Sequence, residues 1–327
     1  MKQNNTTMKR LSYLSAALFA IMLAACSSED DLTPKVDTSN EYATYIMANK
    51  DRTPTDSLIY EWLTEYNTYI VYNFRDNDIK WQWSGKMNIS YTPYDPESES
   101  DMNLLMKHLN LVKTAFFDNY ETDFLRQSLP YKLFFVKSLK GSGFDSFGEA
   151  SYTALSNSQD AILIAYLQPN GRAYSQATME SEMSGIFGGF FYDKLDVKPL
   201  KFLNSRVPVN YDLVTTPADP KVEAELAIKP DFANQEHDAN VCGYVKAYLP
   251  THVKVPTEVQ DFTDYLWFIT QNKGSWIRQR TQFYKRLAQR GSYFIEFYQE
   301  VLGQDLIAQQ NRKFPNDPVT IDDFKWQ

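Results

Sequence analysis

Thr55-Asp56-Ser57-Leu58-Ile59-Tyr60-Glu61-Trp62-Leu63, soon followed by Tyr69-Ile70-Val71-Tyr72-Asn73-Phe74, sets the class of the fold. Behind a Thr55 or Asp56 cap, Leu58, Trp62 and Leu63 continue as a helix, and the second stretch is a strand-like run of aromatic and β-branched residues. The alternation continues downstream. Met102, Leu105, Met106, Leu109 and Val112 recur at helical spacing, and Tyr131 to Val136 and Ala161 to Leu167 read as buried strands. His108 lies beside that helical stripe rather than in it, which predicts a surface or boundary histidine. A further helix is expected from Thr178 toward Leu195, although Gly185, Gly188 and Gly189 cost about 1 kcal/mol each against alanine. These glycines imply tight packing or an interruption. Pro199 to Pro256 carries Pro208, Pro217, Pro220, Pro230 and Pro250 and is expected to be mostly loop. Thr257 and Gln260 then form a capping box. Trp276 to Leu302 is helical sequence with an expected break near Gly291, and Gly303 can end it. The expectation is an α+β protein, with a small sheet packed against several helices and a helical C-terminal part.

Upstream of this domain the chain carries its own address. Lys2, Lys9 and Arg10 precede an apolar run from Leu11 to Leu23, too short to span a bilayer and of the length of a secretory signal. The run closes on Leu23-Ala24-Ala25-Cys26, which resembles a bacterial lipobox. That resemblance implies removal of residues 1–25 as a signal peptide and lipidation of Cys26, giving a membrane anchor of two or three acyl chains. The acidic Ser28-Glu29-Asp30-Asp31 is either a solvated linker or resembles the tag that sends some lipoproteins to the cell surface. Residues 26–40 are polar and contain Pro34, so they read as a flexible tether.

Charge and cysteine content narrow the chemistry. Loss of the three basic residues with the leader lowers the formal charge from −8 by three, to −11, which argues against nucleic acid as a partner. With Cys26 lipidated only Cys242 remains, so neither an intramolecular disulfide nor a cysteine-rich zinc site can form. His108, His237 and His252 are scattered, with no His-x-x-x-His spacing.

From about residue 55 to 310 the order of elements resembles the zinc-binding metallopeptidase lipoproteins. Leu58 to Phe74, Met102 to Leu139 and Tyr293 to Leu306, with its Leu302-Gly303-Gln304-Asp305-Leu306 run, carry the resemblance. It implies a zincin-like core over residues 41–311, either one unit or two lobes split near 195–200, followed by a 312–327 tail. It also implies that a His-Glu-x-x-His helix should fall where this chain reads Ser181-Glu182-Met183-Ser184-Gly185. In that motif two histidines one turn apart hold zinc and the glutamate activates the metal-bound water. Here Glu182 keeps the general-base position, but Ser181 and Gly185 stand where the histidines would be. The metal position is degenerate, and no cofactor is expected. The family's downstream acidic segment is matched by Gln260-Asp261-Phe262-Thr263-Asp264. Val259, Phe262, Leu266 and Ile269 share one stripe there, which predicts that Asp261 and Asp264 face solvent. Glu182 also has a plain reading as an acidic residue near a helix start.

Other chemistries find less support. The chain has no Gly-x-Ser-x-Gly elbow and no phosphate-binding glycine loop, and Gly141-Ser142-Gly143 near Gly148 reads as a turn. His237 and His252 lie in or beside the proline-rich stretch, too far apart in sequence to imply a site. Trp81-Gln82-Trp83 would put both indoles on one face of an extended segment, either as a stacking platform for a glycan or peptide or packed on the core. The resemblance adds outer-membrane nutrient importers as possible assembly partners. The sequence therefore points to an outer-membrane lipoprotein exposed at the cell surface, non-catalytic, that binds a peptide or glycan or assembles with an importer complex. The alternatives are a zinc metallopeptidase with non-standard ligands and a glycan-binding module.

Overall fold

A computed structural model describes residues 40–80, 88–142, 149–151, 154–156, 160–206, 239–246 and 256–325. Cys26, the tether up to residue 39, Trp81, Trp83, His237 and His252 lie outside the described residues. The described chain is α+β. Helices α1 (Glu41–Asn49) and α2 (Pro54–Tyr66) lead into strand β1 (Tyr69–Val71), and a short helix α3 (Asp76–Lys80) follows. The α2 cap is Thr53 rather than Thr55 or Asp56, because Pro54 takes the first helical position, where its missing N–H costs nothing. Thr53 Oγ1 accepts the Asp56 N–H, and Asn67 at φ 54° closes the far end in the left-handed region. The strand is shorter than its aromatic run. Tyr72 leaves the ladder and its hydroxyl donates to Asp56 at 2.6 Å, which ties the strand exit to the start of α2.

Two small sheets follow. In the first, β1 and β7 (Ala161–Ala165) both run parallel to the central β3 (Lys132–Val136), and β6 (Ala154–Ser156) pairs antiparallel on the far side of β7. Phe134 registers with Val71 on one side and Leu163 on the other. Every residue of β3 and β7 is buried, as apolar runs require of strands covered on both faces, and Lys132 at the start of β3 pairs with Asp160 at 2.9 Å. The second sheet, β2 (Asn88–Thr92), β4 (Ser138–Ser142) and β5 (Glu149–Ser151), is antiparallel. Gly141 and Ser142 thus lie on a paired strand and not in a turn, because their backbone groups complete the ladder to β2 and β5.

Helix α4 (Glu99–Ala115), capped by Ser98, and α5 (Thr122–Ser128) lie between these strands in sequence. The C-terminal part is helical: α6 (Gln176–Lys194), α7 (Leu200–Asn204), α8 (Glu258–Thr270), α9 (Gly274–Phe283), α10 (Lys285–Glu300) and α11 (Leu306–Lys313). The Thr257–Gln260 capping box forms as expected. The helical break falls at Tyr284, between α9 and α10, and not at Gly291. Gly291 stays inside α10 because the Phe324 ring packs there, where a Cβ would come within 2.6 Å of it. Gly303, at φ 65°, turns the chain after α10, and the Gln304 N–H closes back onto the Tyr298 carbonyl at 2.9 Å.

The helix pair that matters most is α6 against α8. A Cβ on Gly188 would sit 3.2 Å from Leu266 and 3.3 Å from Thr263, so Gly188 permits the close approach, while Gly185 has open space around it. Aromatic rings fill the layer beneath: Phe116 lies 4.8 Å from Phe187, Phe124 5.1 Å from Phe191, and Trp62 4.6 Å from Phe117. The aromatic excess of the sequence goes mainly into this core. Among the described residues no helix is long and apolar enough to cross a membrane.

Candidate functional site

Helix α6 starts at Gln176 behind its Ser175 cap, which places Ser181, Glu182 and Gly185 in its second and third turns. Glu182 is therefore beyond the first turn, and the helix-dipole explanation for an acid there does not apply. Ser181 is half-buried, and Glu182 and Gly185 are exposed. Ser181 and Gly185 do share a face, one turn apart, but glycine has no donor atom and serine is a poor zinc ligand. The residues at this position do not fit zinc. Among the described residues no group of three His, Cys, Asp or Glu side chains is arranged to hold a metal ion.

The acid of α6 that turns inward is its neighbour. Glu180 is buried against α11, and its Oε2 lies 2.8 Å from Lys313 Nζ. Across the interface, Asp261 and Asp264 of α8 are also buried, against the expectation of a solvated face. The apolar stripe was correctly placed, since Phe262, Leu266 and Ile269 are buried. The reason for the error is that α8 packs against α6, α10 and α11 together, so its polar side is covered as well.

Each of these carboxylates has a basic partner. Arg290, 1% exposed, donates to Asp261, 0% exposed, at 2.5 Å and 3.2 Å, in a two-pronged pair. Arg206 Nε approaches the same carboxylate at 3.3 Å. The Arg290 guanidinium also donates to the Gly243 carbonyl at 2.5 Å and to Ser205 Oγ at 3.3 Å, and lies over Phe202, Tyr244 and Tyr265 at 4.4 to 5.1 Å. Asp264 pairs with Lys246 at 3.1 Å. Burial pushes the Asp261 carboxyl above the usual range, and the guanidinium of Arg290 pulls the other way. For Arg290 the attractions of Tyr265 and Asp261 outweigh the burial that lowers it, and its pKa rises.

His108 is a second correction. It is fully buried, because α4 lies under the sheet and the residue beside its apolar stripe meets Phe135, at 4.7 Å between ring centres, and Tyr166, at 5.2 Å. Nδ1 lies 3.2 Å from the Tyr94 hydroxyl, and Nε2 is buried with no hydrogen-bond partner among the described residues. Burial pulls its pKa down to about 3.

Open clefts lie elsewhere. A cleft of about 460 Å³ is formed where the end of α6 meets α5 and the turn after α10. Phe124, Phe191, Leu195 and Leu302 contribute its apolar lining, and Glu121, Asp123, Asp196 and Lys194 its charges. A smaller cleft of about 170 Å³ adjoins it beside α7 and α10, sharing Val197 and Val301. A third, of about 520 Å³, lies between the starts of α2 and α4 and is lined by Arg52, Glu97, Met102 and Met106 among others. None of these three is lined by Ser181, Glu182 or Gly185. Among the residues of the first two clefts, Leu302, Gly303 and Gln304 stand in the C-terminal run quoted above, whereas the only local signal of Asp196, Val197 and Leu200 is apolar residues beside lysines in Lys194-Leu195-Asp196-Val197-Lys198-Pro199-Leu200-Lys201. Arg290, Arg206 and Lys313 carry no local signal.

No family model matches the sequence, and no curated protein matches it. The structure is similar to a crystal structure described as a candidate zinc-binding metallo-peptidase from Bacteroides caccae, at a TM-score of 0.45 and 16% identity, covering 81% of this chain and 90% of that one.

Proposed function

We propose that this chain is a non-catalytic lipoprotein, held at the outer membrane through Cys26, that works by binding a ligand or assembling with a nutrient-uptake system at the cell surface. It is proposed as a degenerate relative of the zinc metallopeptidase lipoproteins. The observation that carries this reading is the chemistry of the α6–α8 pair. Ser181 and Gly185 offer no ligand pair, and the inward-turned carboxylates Glu180, Asp261 and Asp264 are each held by lysine or arginine. A carboxylate held by a guanidinium has its lone pairs engaged and is not offered to a cation. Glu182, the remnant general base, faces solvent with no metal-bound water to activate.

The test is zinc content by mass spectrometry on the purified chain after zinc loading and desalting. Near-zero metal is expected. About one zinc per chain refutes the proposal and directs attention to Glu182, His237 and His252.

A further inference from the structure

The surface around the two adjoining clefts is unusual for a chain whose aromatic and aliphatic residues are otherwise so thoroughly buried. Val197, Leu200 and Val301 are 58%, 63% and 49% exposed, and they are half of the large exposed hydrophobic residues among those described. They lie together, because Val197 and Val301 line both clefts and Leu200 lines the second. Clustered exposed apolar residues rimmed by polar ones mark interaction sites, whereas the same residues scattered singly need no explanation. The larger cleft, at about 460 Å³, is of the size that accepts a few side chains.

Charge decides between occupants. Around the larger cleft three carboxylates, Glu121, Asp123 and Asp196, face one lysine, Lys194. Arg126 neutralises part of this by pairing with Asp123 at 2.8 Å. In the smaller cleft Lys198 and Lys201 are balanced by Glu296 and Glu300. The Lys198 ammonium donates to the Tyr192 carbonyl and lies over the Tyr192 ring, and that of Lys201 binds Glu296 at 2.5 Å. The rim is therefore acidic around an apolar floor, on a chain that is itself acidic. We infer that this double cleft binds a cationic amphipathic peptide segment, with aliphatic or aromatic side chains seated against the Val197–Val301 ridge and lysine or arginine over the acidic rim. The site lies at the far end of α6, roughly 14 Å along the helix from Glu182. The inference rests on the non-catalytic binding role proposed above and names its ligand class.

The test is fluorescence anisotropy of the full chain with three labelled hexapeptides: Lys-Leu-Phe-Lys-Leu-Lys, its glutamate counterpart Glu-Leu-Phe-Glu-Leu-Glu, and Lys-Ser-Ser-Lys-Ser-Lys. The first is expected to bind saturably and the other two at least about tenfold more weakly, since neither offers both anchors and complementary charge. The paired substitutions Val197→Asp with Val301→Asp, and Asp123→Lys with Asp196→Lys, should each weaken binding by about tenfold or more while circular dichroism stays unchanged, because all four residues are exposed. Equal binding of the lysine and glutamate peptides, no binding of the first, or indifference to the substitutions overturns the inference. Those results with near-zero zinc content leave the non-catalytic reading standing, whereas one zinc per chain removes that reading whatever the peptides do.

Discussion

Acidification from pH 7.5 to 5 should destabilise this protein through His108, by an amount that the structure fixes. The unfolded chain takes up a proton on this imidazole below its ordinary value near 6.5, whereas the folded chain, with the ring buried among Tyr94, Phe135 and Tyr166, takes it up only near 3. Between those values the unfolded state binds more protons, so stability is full above about pH 6.5 and falls as pH drops. At pH 5 the unfolded state has gained about 1.5 pH units of binding free energy, which at about 1.36 kcal/mol per unit is roughly 2 kcal/mol. The assay is urea unfolding of the natural chain and of His108→Asn, each at both pH values. Asparagine can still meet the Tyr94 hydroxyl but does not titrate. Its packing defect costs the same at both pH values and cancels in the comparison. Asp101, which a hydrogen bond from Lys137 helps to hold below its usual value despite burial, and Asp317, held low by hydrogen bonds from Ser275, contribute equally to both chains. The natural chain should lose about 2 kcal/mol more than the variant. An identical pH dependence in the two chains would refute the assignment.

The α6–α8 interface gives three more expectations. Arg290→Met leaves the Asp261 carboxylate buried beside only Arg206 and should destabilise by about 3–5 kcal/mol, and adding Asp261→Asn should recover part of that loss in the same denaturation assay. Gly188→Ala should cost about 1–3 kcal/mol, because its Cβ would press on Leu266 and Thr263, whereas Gly185→Ala, with open space around it, should gain up to about 1 kcal/mol from helix propensity. Thermal melts of the two variants moving in the same direction would count against the packing described. Glu182→Gln should change stability by less than about 0.5 kcal/mol and leave peptide anisotropy unchanged, since the side chain is exposed and lines neither of the two adjoining clefts.

Local signals in the sequence located the elements well. The Thr257–Gln260 capping box, the stripe through Met102 to Val112 and the apolar runs of β3 and β7 each carry their cause within a few residues. The errors share one physical origin. A single apolar stripe facing a single neighbour predicts Asp261, Asp264 and His108 at or near the surface, yet α8 is covered by three helices and α4 lies under a sheet. A polar residue on a covered face is recognisable only from its partner, and Arg290 stands 29 residues beyond Asp261. Gly291 misled for a related reason. Its smallness serves the Phe324 ring arriving from the end of the chain, and that contact leaves no trace in local periodicity.

Charge is used in two ways around α6. Along the α6–α8 pair, the carboxylates that are buried are bound to cations supplied by α11, α10 and the segments at Arg206 and Lys246, so they fasten four pieces of chain to the helix pair. A carboxylate in that setting orients its partners, and its oxygens are taken up by them. Glu182 has the opposite condition, with free access to water and nothing described beside it to bind or polarise a substrate. At the C-terminal end of α6 the setting differs: Phe191 and Leu195 floor an open cleft, and Asp196 and Val197 stand on its rim. Apolar area and unlike charge within reach of solvent are what recognition requires, and they occur together at this end of α6.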